Sequence, residues 1–248
     1  MRRAAAFVTA FGATRSVYGA LRRRAPGDPA QWQRKNYAGR TVDLYAGPAA
    51  AVGAALGTVP ARTRGAAGLA VVAAGACGAY DDMLGDHRRG FRAHLGALRQ
   101  GEVTSGAVKL FGIGAAALAA GALLKERPVD KLLAGVVIAG AAHFVNLVDV
   151  APGRAAVAVL GIGSPGLLRR GSAGALAAAP MGAAAAIVTE DLGERTMLGD
   201  TGAHALGAAL GTAIVAGNGR AGLALHAAAL IAAVAYGDEV SRIAGSPM

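Results

Sequence analysis

The sequence feature that most constrains the fold is a series of apolar runs that are almost free of charge. Most of them approach the ~20 residues that a helix needs to cross the hydrocarbon core of a bilayer. Helices are the expected spanning elements, because strand-type alternation is absent and lipid offers no partners for backbone polar groups. The runs cover residues 4–21, 44–59, 66–80, 107–124, 132–148, 155–168, 172–189, 203–217 and 221–236. They predict an all-α, polytopic transmembrane bundle that forms one domain over residues 1–248, with about eight or nine spans.

Composition favours the same class of protein. Charged residues make up 16% of the chain, whereas soluble domains carry roughly 25%. Alanine and glycine dominate the apolar runs, and small residues of this kind let membrane helices pack closely. The alternative is a soluble, alanine-rich helical protein.

The distribution of positive charge predicts a membrane topology. The net charge is +10, and the Lys and Arg residues lie mainly between the apolar runs, as the positive-inside rule describes. No basic strip is interleaved with aromatic residues, so a nucleic-acid partner is not expected. If the segment at 22–43, with its six Lys and Arg residues, is cytoplasmic, then three acidic motifs fall on the cytoplasmic face. We predict a multi-pass protein of the plasma membrane.

The first acidic motif is "AYDDMLGD", which places Asp81 and Asp82 directly after an apolar run. Adjacent carboxylates at a helix end need a cation, a basic side chain or water. Lys109, at the start of the next run, is a candidate for neutralising one of them. The alternative is a solvated acidic helix end.

The second motif, "NLVDVAPGR", ends another apolar run. His143, Asn146 and Asp149 follow one another at intervals of three, which places them roughly on one face of a helix. Arg154 closes the motif. Polar groups in such a position indicate function by default; for His143 the alternative is a core histidine bonded to a neighbouring helix.

The third motif, "MLGDTGAHALG", places Asp200 at the entrance of an apolar run. Carboxylate oxygens suit Mg²⁺ and helix N-terminal amides suit phosphate, so the motif is typical of a Mg²⁺–diphosphate site. The alternatives are that Asp200 caps the helix and that His204 packs between helices.

A fourth, basic stretch, "RKNYAGR", lies near the N-terminus. Lys35, Asn36 and Arg40 supply donors of the kind that bind phosphate beside a membrane surface. The alternative is a solvated basic loop.

In this order and spacing, the three acidic motifs resemble the signature loops of the polyprenyl-phosphate N-acetylhexosamine-1-phosphate transferases. The resemblance runs from about "RKNYAGR" to "GAALG", which is most of the chain. Members of that family transfer a sugar-1-phosphate from a UDP-sugar to a carrier such as undecaprenyl phosphate. The resemblance therefore implies a Mg²⁺-dependent transferase of cell-envelope glycan synthesis, with a polyprenyl phosphate and a UDP-sugar as its substrates.

The resemblance also implies roles for single residues. Asp200 is the expected Mg²⁺ ligand, and Asp81 and Asp82 are expected beside it at the lipid-phosphate and metal site, so we assign all three as catalytic. Asn146 and Asp149 match positions that contact the nucleotide sugar, and Lys109 is a looser match to a lysine of the family. We assign to substrate binding these three and the polar residues beside the motifs, Lys35, Asn36, Arg40, His143 and Arg154.

Three departures from the family leave a different class of function open. Pro152 stands where a second Asp is common, and His143 where an Asn is common. The His-rich cytoplasmic loop that helps to hold the uridine diphosphate sugar has no counterpart after the last apolar run. The alternative is a non-catalytic membrane scaffold or polyprenyl-phosphate-binding relative. A homodimer or a partner protein of envelope synthesis is a further expectation.

Overall fold

The computed structural model describes residues 1–85, 96–97 and 99–246, so Asp86 of the first motif lies outside the described residues. Most of the described chain is helical, which confirms the all-α class. Its α-helices are α1 (Arg2–Arg23), α2 (Ala46–Gly57), α3 (Arg64–Leu84), α4 (Ser105–Leu124), α5 (Pro128–Val148), α6 (Arg154–Gly163), α7 (Ser172–Leu192), α8 (Gly199–Gly217), α9 (Arg220–Ala235) and α10 (Gly237–Ala244). Short 3-10 helices cover Pro29–Trp32 and Ser164–Leu168.

The number of full-length spans is smaller than predicted. Four of the described helices, α3, α4, α5 and α7, are long and apolar enough to cross a membrane. A fifth span results if α9 and α10, which are bent by 82°, are counted together. The expectation of eight or nine spans is wrong by this criterion, although every apolar run coincides with a helix.

The shortfall has local causes. α2 has 12 residues, so it rises roughly 18 Å, well short of the ~30 Å hydrocarbon core. α6 is shorter still, with 10 residues. Arg15 interrupts the apolar sequence of α1, and the buried α8 carries Asp200 and His204. These helices fill the bundle without meeting the length and composition of a complete span.

Helix α8 lies at the centre of the bundle, where it packs against α2, α3, α5 and α7. Nearly all of its side chains are buried. Small residues let the neighbouring helices approach closely: a Cβ atom at Gly78 in α3 would lie 2.3 Å from the carbonyl oxygen of Asp200. The end of α3 therefore meets the start of α8 backbone to backbone, and this contact brings two of the acidic motifs together.

The polar segment before α2 forms a two-stranded antiparallel hairpin, with β1 at Gln33–Lys35 and β2 at Thr41–Asp43. The carbonyl of Asp43 accepts the N–H of Met197 at 2.9 Å and the hydroxyl of Thr196 at 3.1 Å. The Arg34 guanidinium donates to the carbonyl of Asp82. The hairpin thus joins the end of α3 to the segment that leads into α8.

Candidate functional site

The first and third motifs form a cluster of four charged residues, Asp81, Asp82, Lys109 and Asp200, which we call the acid–lysine cluster. The Nζ of Lys109 donates to the Oδ2 of Asp81 at 2.7 Å and also to a carboxylate oxygen of Asp200. The Lys109 side chain is only 17% exposed. The prediction that Lys109 neutralises an acidic neighbour is confirmed, and the ammonium group bridges two carboxylates rather than one.

Asp82 has a different set of partners from Asp81. Its Oδ1 accepts the backbone N–H of Asp200 at 3.0 Å. Its Oδ2 accepts the N–H of Thr201 at 2.9 Å and the hydroxyl of Thr201 at 2.6 Å. Helix α8 has no side-chain cap of its own, so Asp82 on α3 supplies the acceptors that an N-cap residue would otherwise provide.

This arrangement corrects two expectations for the start of α8. Asp200 lies in the first turn and does not cap its own helix. Two of the amides that were expected to meet a phosphate donate to Asp82 instead. Gly199 makes the contact possible in two ways. Its φ of +57° is a conformation that glycine adopts without strain. It also has no Cβ, which would lie 3.0 Å from the Asp82 carboxylate.

The residues of the cluster suit a Mg²⁺ ion that arrives with a diphosphate. Three carboxylates and one ammonium group leave a net charge of about −2, which attracts cations. The described part of the chain contains no group of three His, Cys, Asp or Glu residues arranged around one metal ion. Mg²⁺ commonly binds through one or two carboxylates, water and substrate phosphates, so Asp81 and Asp200 fit that donor set.

Asp149 of the second motif lies just after α5 and lines a cavity of about 40 Å³. Asn36, Asp191 and Thr196 line the same cavity. Within the described residues the Asp149 carboxylate has no hydrogen bond or ion pair. Burial, reinforced by the negative charge of Asp191, raises the pKa of Asp149 well above its usual range. An unpaired acid beside a small polar cavity is suited to accept a donor group of a ligand.

Asp191 is a site residue that the sequence reasoning missed. It is buried, and its carboxylate accepts the N–H of Gly153 at 3.2 Å. The available signal was its position, because Asp191 follows an apolar run in the same way as Asp81 does.

His143 and Asn146 lie on α5, which packs against α8. The His143 ring meets the His204 ring edge-on, with centroids 5.4 Å apart. The Nε2 atom of His143 is buried and has no hydrogen-bond partner among the described residues. The Asn146 side chain likewise makes no hydrogen bond with any described residue. His143 is therefore not the satisfied core histidine that was the alternative.

The four remaining predicted residues have separate contacts. Asn36 donates to the Glu194 carboxylate at 2.7 Å, and Arg40 pairs with the same carboxylate at 3.3 Å. Lys35 is exposed on the hairpin. Arg154 donates to the carbonyl of Ser246. Of the four, only Asn36 lines the cavity beside Asp149.

Comparison with protein-family models finds no family that matches the chain, and comparison with curated proteins finds no matching relative. The functional assignment therefore depends on the motifs and on the geometry of the site.

Proposed function

We propose that the protein is a Mg²⁺-dependent sugar-1-phosphate transferase that uses a UDP-sugar and a polyprenyl phosphate. In this proposal it is a multi-pass protein of the plasma membrane, with the acid–lysine cluster on the cytoplasmic face. One observation carries the proposal: the Lys109 ammonium lies between the carboxylates of Asp81 and Asp200, which come from motifs 119 positions apart in the chain. A cationic group held between two acids at a helix start is suited to phosphate chemistry.

The reaction is a phosphoryl transfer. An oxygen of the carrier phosphate attacks the β-phosphorus of the UDP-sugar and forms a new P–O bond. The bond between that phosphorus and the oxygen bridging to the α-phosphate breaks, and UMP leaves. A phosphate monoester has a second pKa near 6 and is largely ionised at neutral pH, so no general base is required.

The residues of the cluster would act mainly by positioning and by charge. Lys109 would donate to a phosphoryl oxygen, and Asp81 would hold the lysine in place. Asp200, with Asp81, would hold a Mg²⁺ ion, which supplies positive charge against the diphosphate when it is bound. Asp82 would keep the start of α8 in register with α3 through its three hydrogen bonds.

The cavity beside Asp149 is proposed as part of the donor site. Its volume of about 40 Å³ suits a small polar group, because a cavity needs about 10–15 Å³ on the same kind of measure to hold one water molecule. Asn36 and Asp149 would therefore contact one polar group of the UDP-sugar, while the rest of the donor lies outside the cavity. Lys35 and Arg40, on the exposed hairpin, would meet phosphates at the membrane surface.

The test is a reconstituted reaction. Purified protein is incubated with undecaprenyl phosphate, Mg²⁺ and a panel of UDP-sugars, and UMP and the lipid-linked sugar are measured. Omission of the carrier and chelation of Mg²⁺ are the matched controls. UMP release that requires both supports the proposal. Release that continues without the carrier would indicate hydrolysis of the UDP-sugar and would contradict it.

A specific observation also favours the second candidate, a non-catalytic relative that binds polyprenyl phosphate. Every charged group of the acid–lysine cluster already has a protein partner: Lys109 pairs with two acids, and Asp82 caps α8. Such a self-contained cluster is stable without a substrate. Saturable binding of undecaprenyl phosphate, with no UMP from any UDP-sugar, would select this candidate.

A further inference from the structure

We propose that the end of the bundle opposite the acid–lysine cluster binds the headgroups of anionic phospholipids. Helix α3 connects the two ends, because it begins at Arg64 and carries Asp81 and Asp82 near its other end. The opposite end, which we call the basic end, is formed by the segments 1–3, 58–64, 125–131, 164–171 and 218–220. These segments contain ten Lys and Arg residues and two acids, Glu126 and Asp130.

The segments of the basic end contact one another. Arg3 donates to the carbonyl of Leu167, which joins the start of α1 to the segment before α7. The Nζ of Lys125 donates to the carbonyl of Asn218 at 2.8 Å, which joins the connection between α4 and α5 to the one between α8 and α9. Ala61, from the segment before α3, is buried in a cluster against which Leu167 packs. The basic side chains therefore belong to one surface.

Little of the positive charge at the basic end is neutralised. Among the described residues, Arg220 is the one member of the ten that has a carboxylate partner, Asp130 at 2.6 Å. The basic end has a net charge of +8, whereas the rest of the described chain carries twelve basic and twelve acidic side chains. The net charge of the described residues is thus concentrated at one end. Phosphate is a suitable partner, because the arginine guanidinium matches phosphate oxygens bidentately.

Exposed apolar side chains beside the basic ones favour a lipid over a soluble polyanion. Leu168, directly before Arg169, is 83% exposed, and Leu123, two positions before Lys125, is 68% exposed. Four helices that are long and apolar enough to cross a membrane, α3, α4, α5 and α7, begin or end here. In a bilayer such helix ends lie at the level of the headgroups, where basic groups meet phosphate and apolar side chains meet hydrocarbon.

The basic end also departs from the usual distribution of charge in membrane proteins. With the acid–lysine cluster on the cytoplasmic face, as proposed above, the basic end lies at the outer leaflet, where Lys and Arg are normally depleted. Binding of anionic headgroups gives these residues a role there. The attraction between a cationic side chain and a headgroup phosphate is the same on either side of a membrane, so the inference does not require the transferase proposal.

The test is lipid binding by the purified full-length protein in an uncharged detergent, measured by displacement of fluorescent phosphatidylglycerol. Unlabelled phosphatidylglycerol and zwitterionic phosphatidylcholine are compared as competitors. We expect the wild type to bind phosphatidylglycerol more tightly by about 10-fold or more, because each Lys or Arg near an anionic surface strengthens binding by roughly 5-fold. The preference should shrink in about 1 M salt, where the Debye length is about 3 Å.

The test variant combines Arg127→Gln, Arg169→Gln and Arg170→Gln, three exposed residues of the basic end that have no carboxylate partner among the described residues. The matched control makes the same change of charge at the other end of α1, where residues 22–24 are three exposed arginines. The test variant should lose the preference for phosphatidylglycerol by about 10-fold or more, and the control should retain it.

Equal affinity of the wild type for the two lipids, or equal affinity of the two triple variants for phosphatidylglycerol, would overturn the inference. Binding of soluble inorganic polyphosphate without a preference between the lipids would also overturn it, because the partner would then be a soluble polyanion. If the test variant does not fold, the comparison of the two lipids on the wild type at low and high salt decides the outcome. The measurement needs no sugar nucleotide, so its failure is distinguishable from failure of the proposed transferase activity.

Discussion

Substitution of Asp82 by Asn separates a structural role of the first motif from a catalytic one. Asp82 accepts three hydrogen bonds from Asp200 and Thr201 at the start of α8. Asn keeps one oxygen acceptor but places an NH₂ group against the N–H of Thr201. Helix α8 is central to the bundle, so the loss of its cap affects the packing of the whole molecule.

The magnitude follows from the number of bonds lost. Hydrogen bonds to charged groups contribute roughly 1.5–3 kcal/mol each, and the Thr201 hydroxyl can turn to accept from the new NH₂ group. The net loss is then about one charged bond, or about 2–3 kcal/mol in the free energy of unfolding. For a chain of this size each kcal/mol shifts the midpoint by about 2–4 °C. We therefore expect the thermal midpoint of Asp82→Asn to fall by about 5–10 °C.

The assay is thermal unfolding of the purified protein in detergent, with Asp81→Asn as the matched control. Asp81 is the adjacent carboxylate, but its side chain is 22% exposed and its ion pair is with Lys109. The control should shift the midpoint by less than half as much. Equal shifts for the two variants, or no shift for Asp82→Asn, would refute the assignment of Asp82 as the cap of α8.

Three further predictions concern the same end of the bundle. Gly78→Ala should destabilise the protein by about 1–3 kcal/mol or more, because the new Cβ would lie 2.3 Å from the Asp200 carbonyl oxygen. Gly114→Ala is the control, since a Cβ there has nothing within 4 Å, and it should be neutral or stabilising. Equal thermal midpoints for the two variants would contradict the close contact. Lys109→Met should lower the free energy of unfolding by about 3–5 kcal/mol, because it leaves two carboxylates unpaired. The double variant Lys109→Met with Asp200→Asn should recover part of that loss. Strictly additive effects of the two substitutions would contradict the ion pair. The pKa of Asp149 is raised in the folded state, so this residue lowers the stability of the protein as the pH rises above its unfolded pKa. Asp149→Asn should therefore raise the thermal midpoint at pH 7, and raise it less at about pH 4. An equal gain at both pH values would contradict the raised pKa.

The α-helices from α1 to α9 were predictable from the apolar runs, because most runs are bounded by charged or helix-breaking residues. The run at 172–189, for example, corresponds to α7, which covers Ser172–Leu192. Helix α10 (Gly237–Ala244) was not predictable in this way, since it follows the last run. The hairpin before α2 was not predicted, since Gln33–Lys35 and Thr41–Asp43 have only three residues each. Its strands depend on contacts with the distant segment around Thr196, and no local pattern reports such contacts.

Charged residues at the ends of apolar runs, and the motifs they belong to, singled out Asp81, Lys109 and Asp200 in the sequence. Their contacts with one another were not predictable in detail, because Lys109 is 28 positions from Asp81 and 91 from Asp200, and Asp191 was not singled out at all. The cap that Asp82 supplies to α8 depends on the close approach at Gly78, which only the packing of two helices determines. The pairing of His143 with His204 is also a tertiary contact. Three-residue spacing placed His143 on a face of α5 without indicating what that face meets.

The most direct measurement of the proposed function is the rate of UMP release by Asp200→Asn, compared with wild type and with Asp130→Asn. Asp130 is also a carboxylate in an ion pair, with Arg220 at 2.6 Å. It lies in the first turn of α5, at the opposite end of that helix from Asp149. We predict that Asp200→Asn slows UMP release by on the order of 10²-fold or more, while Asp130→Asn retains the wild-type rate. Equal rates for the two variants, or no UMP from wild-type protein with any UDP-sugar, would contradict the assignment of the acid–lysine cluster as the centre of a transferase.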